Sequence, residues 1–393
     1  MNIQPFKVHI PETALQDLHE RLARTRWPDE IPNTGWEYGT NLAYLKELVH
    51  YWQTQFDWRA QEEIMNQFAH FRADFDGFGI HFIHEKGKGP DPLPIIITHG
   101  WPSSFLEMLK IIPLLTDPEN HGGKAEDSFD VIVPSLPGYG FSDKPAKRGM
   151  TVSSIANIWA RLMTDVLGYD HFAAHGGDHG ASVTEQLAAS HSDLLAGIHL
   201  DMVPVHHVFE RPPIEELSQS EKEYLQQLEL WLQEEGGYAM IQGTKPQTLA
   251  YALNDSPTGL AAWIVEKFRS WSDCNGSVEN RFTKDELITN ITLYWVTETV
   301  NAASRLYYEA AHDHNYIHPK HQRRRRRRSD VKTAFAIFPK DILTAPRQWA
   351  ERWFNVMQWT EMPRGGHFAA MEEPKLLAND IITFFRPLRS PKR

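Results

Sequence analysis

The residues with the clearest chemical potential lie in the stretch from 171 to 183, which reads His-Phe-Ala-Ala-His-Gly-Gly-Asp-His-Gly-Ala-Ser-Val. The pattern predicts a short buried strand, a turn tightened by glycines and then a helix. Gly176 and Gly180 stand two residues before and two residues after Asp178, and glycine lets neighbouring backbones approach closely. We therefore expect the Asp178 side chain to stand exposed above the sheet, where a carboxylate can act as a nucleophile.

The choice of aspartate at this position favours alkyl transfer over acyl transfer. A serine that opened an epoxide would leave an ether, which water does not readily cleave. An aspartate leaves an ester, and a water activated by histidine can hydrolyse that ester and regenerate the carboxylate. Asp178 therefore predicts covalent catalysis on an epoxide or an alkyl halide.

An acid and a base for this chemistry follow later in the chain. Asp341 comes just after a predicted strand, and His367 lies in a glycine-rich loop after the last predicted strand. The order nucleophile, acid, histidine is the order of an α/β-hydrolase triad. Asp341 could instead cap a helix that starts at Ile342, and three weaker candidates for the acid remain: Glu309, Asp313 and Asp201.

Groups that could stabilise developing negative charge can also be predicted. In an α/β-hydrolase, one oxyanion-hole N–H comes from the loop after an early strand and the other from the residue after the nucleophile. Those residues are Trp101, in His99-Gly100-Trp101-Pro102, and His179. Ser104 and Glu107 fit a capping box for the helix that follows this loop.

Opening an epoxide also produces an alkoxide, which needs a proton donor. Tyrosine phenols, with an ordinary pKa of about 10, can supply a hydrogen bond or a proton at neutral pH. The helical segment after residue 204 offers several candidates, and spacing alone does not choose between them: Tyr238, Tyr251, Tyr294, Tyr307 and Tyr308.

The elements around these residues predict an α/β fold of the α/β-hydrolase type. Apolar runs such as residues 93–99 suit strands covered on both faces, and they alternate with helical stretches, which implies a mostly parallel sheet with helices on both faces. Residues up to about 75 read mainly as helices and irregular links. A single long helix is expected from Lys284 to Ala311.

The chain divides into four predicted segments. They are an N-terminal arm with the first strands (1–92), the first part of the core (93–203), a helical cap (204–330) and the second part of the core (331–393). A helical insert between strands is expected to cover the carboxyl ends of the strands, where open α/β sheets place their ligands.

Bulk composition excludes several classes of protein. The net charge of −11 argues against a general nucleic-acid binder. A single cysteine, Cys274, excludes an intramolecular disulfide framework and fits a reducing compartment. The chain has no apolar run of membrane-spanning length and no signal-peptide pattern, so a soluble cytoplasmic protein is expected. The Arg323–Arg328 run is interpreted as a solvated loop, with a patch for an acidic partner or a nucleic acid as the alternative.

With these motifs identified, the chain resembles the microsomal-type epoxide hydrolases, the α/β-hydrolase branch with a long N-terminal arm. The resemblance covers essentially the whole chain. The matching motifs are Arg21–Pro28, His99–Pro102, Pro134–Ser142, the turn around Asp178, Phe338–Asp341 and Gly365–Ala370.

The resemblance implies roles for individual residues. It places the nucleophile at Asp178, the acid at Asp341, the base at His367 and the two proton donors at Tyr238 and Tyr307, with Tyr308 as the alternative to Tyr307. It also implies a cis bond between Trp101 and Pro102. His179 departs from the family, which usually has tryptophan there, and no counterpart of the membrane-anchoring helix of vertebrate members is expected.

The expected substrate is a small apolar epoxide, with water as the second reactant. No cofactor, metal, nucleic acid or membrane anchor is expected, and the oligomeric state is open, with a homodimer as a candidate. Two alternatives are a haloalkane or haloacid dehalogenase, which also uses an aspartate, and an inactive homologue that binds a small molecule.

Overall fold

Nine strands form one sheet in the computed structural model, which describes residues 3–313 and 328–389. Their order across the sheet is β1-β2-β3-β5-β4-β6-β7-β8-β9. The pairs β1–β2, β2–β3 and β3–β5 are antiparallel. The remaining six strands, β4 to β9, are parallel to one another. The strands are β1 Ile3–Phe6, β2 His70–Phe75, β3 Phe78–Glu85, β4 Leu93–Thr98, β5 Phe129–Pro134, β6 Phe172–Gly176, β7 Leu195–Leu200, β8 Lys332–Ile337 and β9 Asn355–Glu361.

Fifteen α-helices surround this sheet in the described residues. Six of them, α7 to α12, follow one another between β7 and β8, and we call them the cap helices. The helices are α1 Glu12–Ala23, α2 Leu42–Thr54, α3 Trp58–Met65, α4 Ile112–Thr116, α5 Val152–Arg161, α6 Asp178–Ser190, α7 Gln219–Glu234, α8 Gly237–Thr244, α9 Pro246–Leu253, α10 Pro257–Ser270, α11 Lys284–Thr297, α12 Val300–His312, α13 Arg347–Glu351, α14 Ala369–Glu372 and α15 Pro374–Phe385.

The parallel strands are buried on both faces. Successive residues alternate between two hydrophobic clusters: Ile96 belongs to the cluster that includes α5 and α6, and Ile95 and Ile97 belong to the cluster that includes α4 and α15. A period of two residues puts neighbours on opposite faces of a strand. The apolar runs therefore produce the predicted doubly covered sheet, and the α/β-hydrolase architecture expected from the sequence is confirmed.

Residues up to 75 are mainly helices and links, as predicted, but two strands were missed, β1 and β2, which pair antiparallel and extend the sheet. Two other local predictions were wrong. The helix expected from Lys284 to Ala311 is broken, because Glu298 adopts a left-handed φ of 51° between α11 and α12. The helix expected after Ser104 begins as a 3-10 turn, Phe105–Met108, and Glu107 does not form the capping box.

Other predictions about organisation are untested or lie outside the described residues. We retain the division at residues 92, 203 and 330 as a proposal. Of the Arg323–Arg328 run, residues 323–327 lie outside the described residues, and Arg328 donates from Nε to the Phe354 carbonyl at 2.9 Å. Within the described part of the chain, no helix has the length and apolar character needed to cross a bilayer.

Helix α6 lies unusually close to strand β4, and this contact fixes the height of Asp178 above the sheet. A Cβ atom on Gly180 would be 2.0 Å from the Thr98 carbonyl oxygen, well inside contact distance. Thr98 is itself held by Trp159, whose Nε1 donates to the Thr98 hydroxyl at 3.1 Å. Only glycine fits at position 180 without moving the helix.

Replacing Gly180 with alanine should therefore push α6 away from β4. We expect Gly180→Ala to lower the free energy of unfolding by about 1–3 kcal/mol, because overpacking forces the backbone to shift. Gly237→Ala is the matched control, since a Cβ there meets no atom within 4 Å; it should leave stability unchanged or raise it by up to about 1 kcal/mol. Urea denaturation measures both, and equal stability of Gly180→Ala and wild type would contradict the close contact.

Candidate active site

Asp178 occupies a strained turn between strand β6 and helix α6. Its φ is 49°, in the left-handed region that non-glycine residues rarely adopt and that costs about 1–3 kcal/mol. The Asp178 amide donates a hydrogen bond to the Met202 sulfur at 3.2 Å. This geometry presents the carboxylate at the carboxyl edge of the parallel strands, as the sequence predicted.

Asp341 and His367 meet Asp178 at this edge. His367 Nδ1 lies 2.6 Å from Asp341 Oδ1, and His367 Nε2 lies 3.4 Å from Asp178 Oδ2. Asp341 Oδ1 also accepts a hydrogen bond from the Ile342 amide at 2.6 Å. The structure thus brings together the three side chains of the predicted triad, with one imidazole between two carboxylates.

The charges of this trio depend on one another. Burial opposes the charged form of His367, but the carboxylates of Asp341 and Asp178 outweigh burial and raise the pKa of His367 well above its usual value. Burial also opposes the ionised form of Asp178, yet nearby His179 and His367 and the Trp101 amide lower its pKa below the ordinary range. Asp178 is therefore an ionised carboxylate at neutral pH, as a nucleophile must be.

The turn before the 3-10 helix places a backbone donor on Asp178. The Trp101 amide donates to Asp178 Oδ1 at 2.8 Å, and the peptide bond between Trp101 and Pro102 is cis, as expected. A Cβ on Gly100 would be 2.2 Å from the Asp178 Cβ, so this approach requires glycine. The His179 amide, the second predicted donor, lies in the first turn of α6, where N–H groups have no acceptor within the helix.

Two of the candidate tyrosines pack against Trp101, whose amide donates to this carboxylate. The Tyr238 ring stacks on Trp101, with centroids 5.1 Å apart, and the Tyr307 ring contacts both Trp101 and His179 edge-on. Burial is the main cause that raises the pKa of Tyr238, and the Asp178 charge adds to it. A hydrogen bond with Tyr307 acts in the opposite direction. Both phenols therefore stay protonated at neutral pH and can donate.

Helix packing holds these two tyrosines in place. Tyr238 lies on α8 and Tyr307 on α12, and the Ser304 hydroxyl on α12 donates to Gln242 Oε1 on α8 at 3.1 Å. This buried bond fixes one helix against the other, so the separation of the phenols is set by the cap helices themselves.

The remaining candidate tyrosines are engaged elsewhere. Tyr251 is 73% exposed, and the Tyr294 hydroxyl donates to the Ser103 carbonyl at 2.7 Å. The Tyr308 ring stacks on His312 at 3.9 Å, on a different side of α12 from the Trp101 contact made by Tyr307. The geometry therefore favours Tyr238 and Tyr307 over the other three.

The alternative acids do not contact the imidazole. Glu309 accepts a hydrogen bond from the Gly149 amide at 3.0 Å, and Asp313 is the C-terminal cap of α12. Asp201 is buried nearby, but burial and the neighbouring Asp341 raise the pKa of Asp201 well above its usual value. A protonated carboxyl does not stabilise an imidazolium as an ionised one does.

Glu372 holds the loop of His367, and the sequence analysis missed it. Its carboxyl oxygens accept from the Gly366 amide at 3.1 Å, the Phe368 amide at 3.1 Å and the Asp273 amide at 2.8 Å. Both neighbours of His367 are thus fixed by one buried side chain, and burial raises the pKa of Glu372 to about 7. The signal in the sequence was an acidic residue directly after the apolar run from 368 to 371.

Glu107 has a different role from the capping box predicted for it. Its carboxyl group accepts a short hydrogen bond from the Ser103 hydroxyl, which also donates to the Gly100 carbonyl at 3.0 Å. Glu107 therefore braces the turn that carries the Trp101 amide. Burial raises the pKa of Glu107 to about 7.

Comparison with known proteins gives matches over almost the whole chain. The family described as "Epoxide hydrolase N terminus" matches residues 3–108, and the family described as "alpha/beta hydrolase fold" matches residues 94–241. A putative epoxide hydrolase of Stigmatella aurantiaca (strain DW4/3-1) is 46% identical over 99% of this chain and 86% of its own length. Epoxide hydrolase 1 of Oryctolagus cuniculus is 40% identical over 98% of this chain and 88% of its own length.

Solved structures of similar proteins share the fold. The juvenile hormone epoxide hydrolase of the silkworm Bombyx mori superposes with a TM-score of 0.85 at 30% identity, covering 99% of this chain and 95% of that chain. The Aspergillus niger epoxide hydrolase gives a TM-score of 0.84 at 30% identity, covering 99% and 97%. On the strength of these matches, the chain belongs to the epoxide hydrolase family, within the α/β-hydrolase fold.

Proposed function

We propose that this enzyme hydrolyses an epoxide to a vicinal diol through a covalent ester on Asp178. The arrangement of one carboxylate carries the proposal: Asp178 accepts from the Trp101 amide on one oxygen, lies 3.4 Å from His367 on the other, and is faced by Tyr238 and Tyr307. These contacts supply a nucleophile, a base and two proton donors at one point.

In the first step, Asp178 Oδ2 attacks an epoxide carbon. Oδ1 is already bonded to the Trp101 amide, which leaves Oδ2 as the attacking atom. A bond forms between Oδ2 and carbon, the carbon–oxygen bond of the ring breaks, and its electron pair goes to the epoxide oxygen. Tyr238 and Tyr307 donate to that oxygen and supply its proton. The product is a neutral alkyl ester.

Loss of the Asp178 charge prepares the second step. In the free enzyme, two carboxylates raise the pKa of His367, so the imidazole is held in its charged form. When Asp178 becomes an ester, one of these charges disappears and the pKa of His367 falls. The imidazolium then releases its proton, which replaces the proton that the phenol gave to the epoxide oxygen, and the neutral imidazole can act as a base. His367 then takes a proton from water, which attacks the ester carbonyl. Asp341 stabilises the imidazolium that forms.

The oxyanion of this second step develops on Asp178 Oδ1. The Trp101 amide already donates to that atom, and the His179 amide in the first turn of α6 is the proposed second donor. Preorganised N–H donors of this kind need no rearrangement during the reaction. Collapse of the tetrahedral intermediate breaks the bond between the carboxyl carbon and the ester oxygen. The departing oxygen takes the proton of the new carboxyl group, so the diol is released and the carboxylate is restored.

The aromatic lining favours an apolar epoxide substrate. Ring contacts connect four aromatic side chains beside Asp178: Trp101, Trp271, Tyr238 and Tyr307. A dehalogenase would form the same ester, but a departing halide has no need of two phenolic donors.

The cytoplasmic location and the homodimer expected from the sequence stay predictions.

Trapping the intermediate tests the roles of Asp178 and His367. We expect His367→Gln to slow ester hydrolysis about 10²–10⁴-fold, so that a styrene-oxide-type epoxide adds its mass to the protein. Asp178→Ala should form neither diol nor adduct. Mass spectrometry of the intact protein and of its peptides locates the adduct, and an adduct of His367→Gln on any residue other than Asp178 would disprove the assignment.

Removing the phenolic hydroxyls tests the proton donors. We expect Tyr238→Phe and Tyr307→Phe each to slow alkylation roughly tenfold or more, and the double variant to slow it about 10²–10⁴-fold, the usual range for general-acid catalysis. Tyr308→Phe is the matched control on the same helix and should react at the wild-type rate. Rapid-mixing measurements of ester formation give these rates, and a larger loss in Tyr308→Phe than in Tyr307→Phe would reverse the choice.

A further inference from the structure

A second cluster of chemically active side chains lies where the chain leaves the sheet for the cap helices. Glu185 is on α6, seven residues after Asp178, and His206 and His207 are in the 3-10 turn Val205–Phe209 after strand β7. We propose that Glu185, His206 and His207 bind one divalent transition-metal ion of the Zn²⁺ type, and that this ion fixes the start of the cap to the helix of the nucleophile.

The three side chains already have the spacing of a ligand set. His206 Nε2 lies 3.2 Å from Glu185 Oε2, His207 Nε2 lies 3.2 Å from Glu185 Oε1, and one ligand atom from each residue falls within 4.8 Å of the others. Bonds of about 2.0–2.2 Å in a tetrahedral zinc site separate neighbouring ligand atoms by roughly 3.3–3.5 Å. A small movement of the side chains therefore accommodates the ion.

The chemistry of the donors suits the same group of metals. Two imidazoles and one carboxylate bind Zn²⁺ in several enzymes, and imidazole also suits Co²⁺ and Ni²⁺. Burial of a charged carboxylate is costly, and a cation bound between Glu185 and the two imidazoles would offset this cost. A fourth position would be filled by water.

His207 gives an independent indication of a ligand. Its side chain is only 1% exposed, its Nε2 lies 3.2 Å from the Glu185 carboxylate, and among the described residues its Nδ1 has no hydrogen-bond partner. Buried polar atoms rarely lack a partner, and such a group calls for an ion or a water. The ring is held in place by stacking on Trp353, with centroids 4.7 Å apart.

The position of the cluster points to a structural role. Seven residues of helix separate Glu185 from Asp178 by about 10 Å along the axis, too far for contact with the reacting atoms. The loop that leads to His206 also carries Met202, whose sulfur contacts the Asp178 amide. An ion at Glu185 would thus anchor the segment that supports the backbone of the nucleophile. No metal was expected from the sequence, because the three residues form no spaced motif.

Metal binding to the full-length protein tests the proposal. We expect chelator-treated protein to take up about one equivalent of Co²⁺ with visible absorption typical of four or five ligands, and Zn²⁺ to displace it. His207→Phe removes the ligand nitrogen while keeping the stack on Trp353, and Glu185→Gln weakens the carboxylate ligand. Both should lower the affinity for Co²⁺ at least roughly tenfold.

The matched control is His171→Phe, which removes an exposed histidine outside the cluster and should bind Co²⁺ as wild type does. Zn²⁺ should raise the melting temperature of wild type by a few degrees and leave that of His207→Phe unchanged. Diol formation well below the melting temperature should be the same with and without Zn²⁺. Absence of Co²⁺ absorption in wild type, unchanged binding in both cluster variants, or turnover that requires Zn²⁺ would overturn the proposal.

Discussion

A single buried imidazole placed between two carboxylates is the interaction on which the proposed chemistry depends. Nδ1 of His367 is 2.6 Å from Asp341, and Nε2 is 3.4 Å from Asp178. The two negative charges overcome the cost of burying a charged imidazole and raise the pKa of His367. The same contacts keep Asp178 ionised. Consumption of one carboxylate by ester formation then changes His367 from an ion-pair partner into a base, so the order of the two steps is built into the electrostatics.

The scaffold supports this interaction through close backbone approaches and buried acids. Gly180 and Gly100 permit contacts that any Cβ would prevent, and these contacts set the positions of Asp178 and the Trp101 amide. Glu372 and Glu107 have no place in the proposed proton transfers, yet each fixes a loop that carries a reacting group. The pKa values of both glutamates are raised to about 7 by burial, so near neutral pH these loops are held by carboxyl groups close to their own titration.

Sequence reasoning predicted the elements whose signals are local. The apolar run of β4 predicted a strand buried on both faces, and the glycines around Asp178 predicted the turn between a strand and a helix. Strands β1 and β2 were missed because their stability comes from antiparallel pairing with β3 and not from a periodic pattern of their own. The break at Glu298 was missed because the residue is an ordinary helix former that adopts a left-handed conformation.

The site residues likewise fall into those that the sequence identified and those that only the folded structure reveals. Asp341 and His367 followed from chain order and from the resemblance, and the choice between five tyrosines needed the packing of α8 against α12. Glu372 and the cluster of Glu185, His206 and His207 depend on contacts between separate elements of the fold, and no spacing rule connects them. Glu107 contacts Ser103 only four residues away, but the local pattern was interpreted as a capping box.

The most direct measurement follows the oxygen of water during one turnover. Excess enzyme is mixed with an apolar epoxide in water enriched in a heavy oxygen isotope. Mass spectrometry then measures the masses of the diol and of the peptide that contains Asp178. Attack of water on the ester carbonyl puts the label into the Asp178 carboxylate and leaves the first diol unlabelled. This is the result expected from the covalent mechanism. A labelled diol with an unlabelled carboxylate would mean that water attacks the epoxide directly, and it would contradict the covalent mechanism.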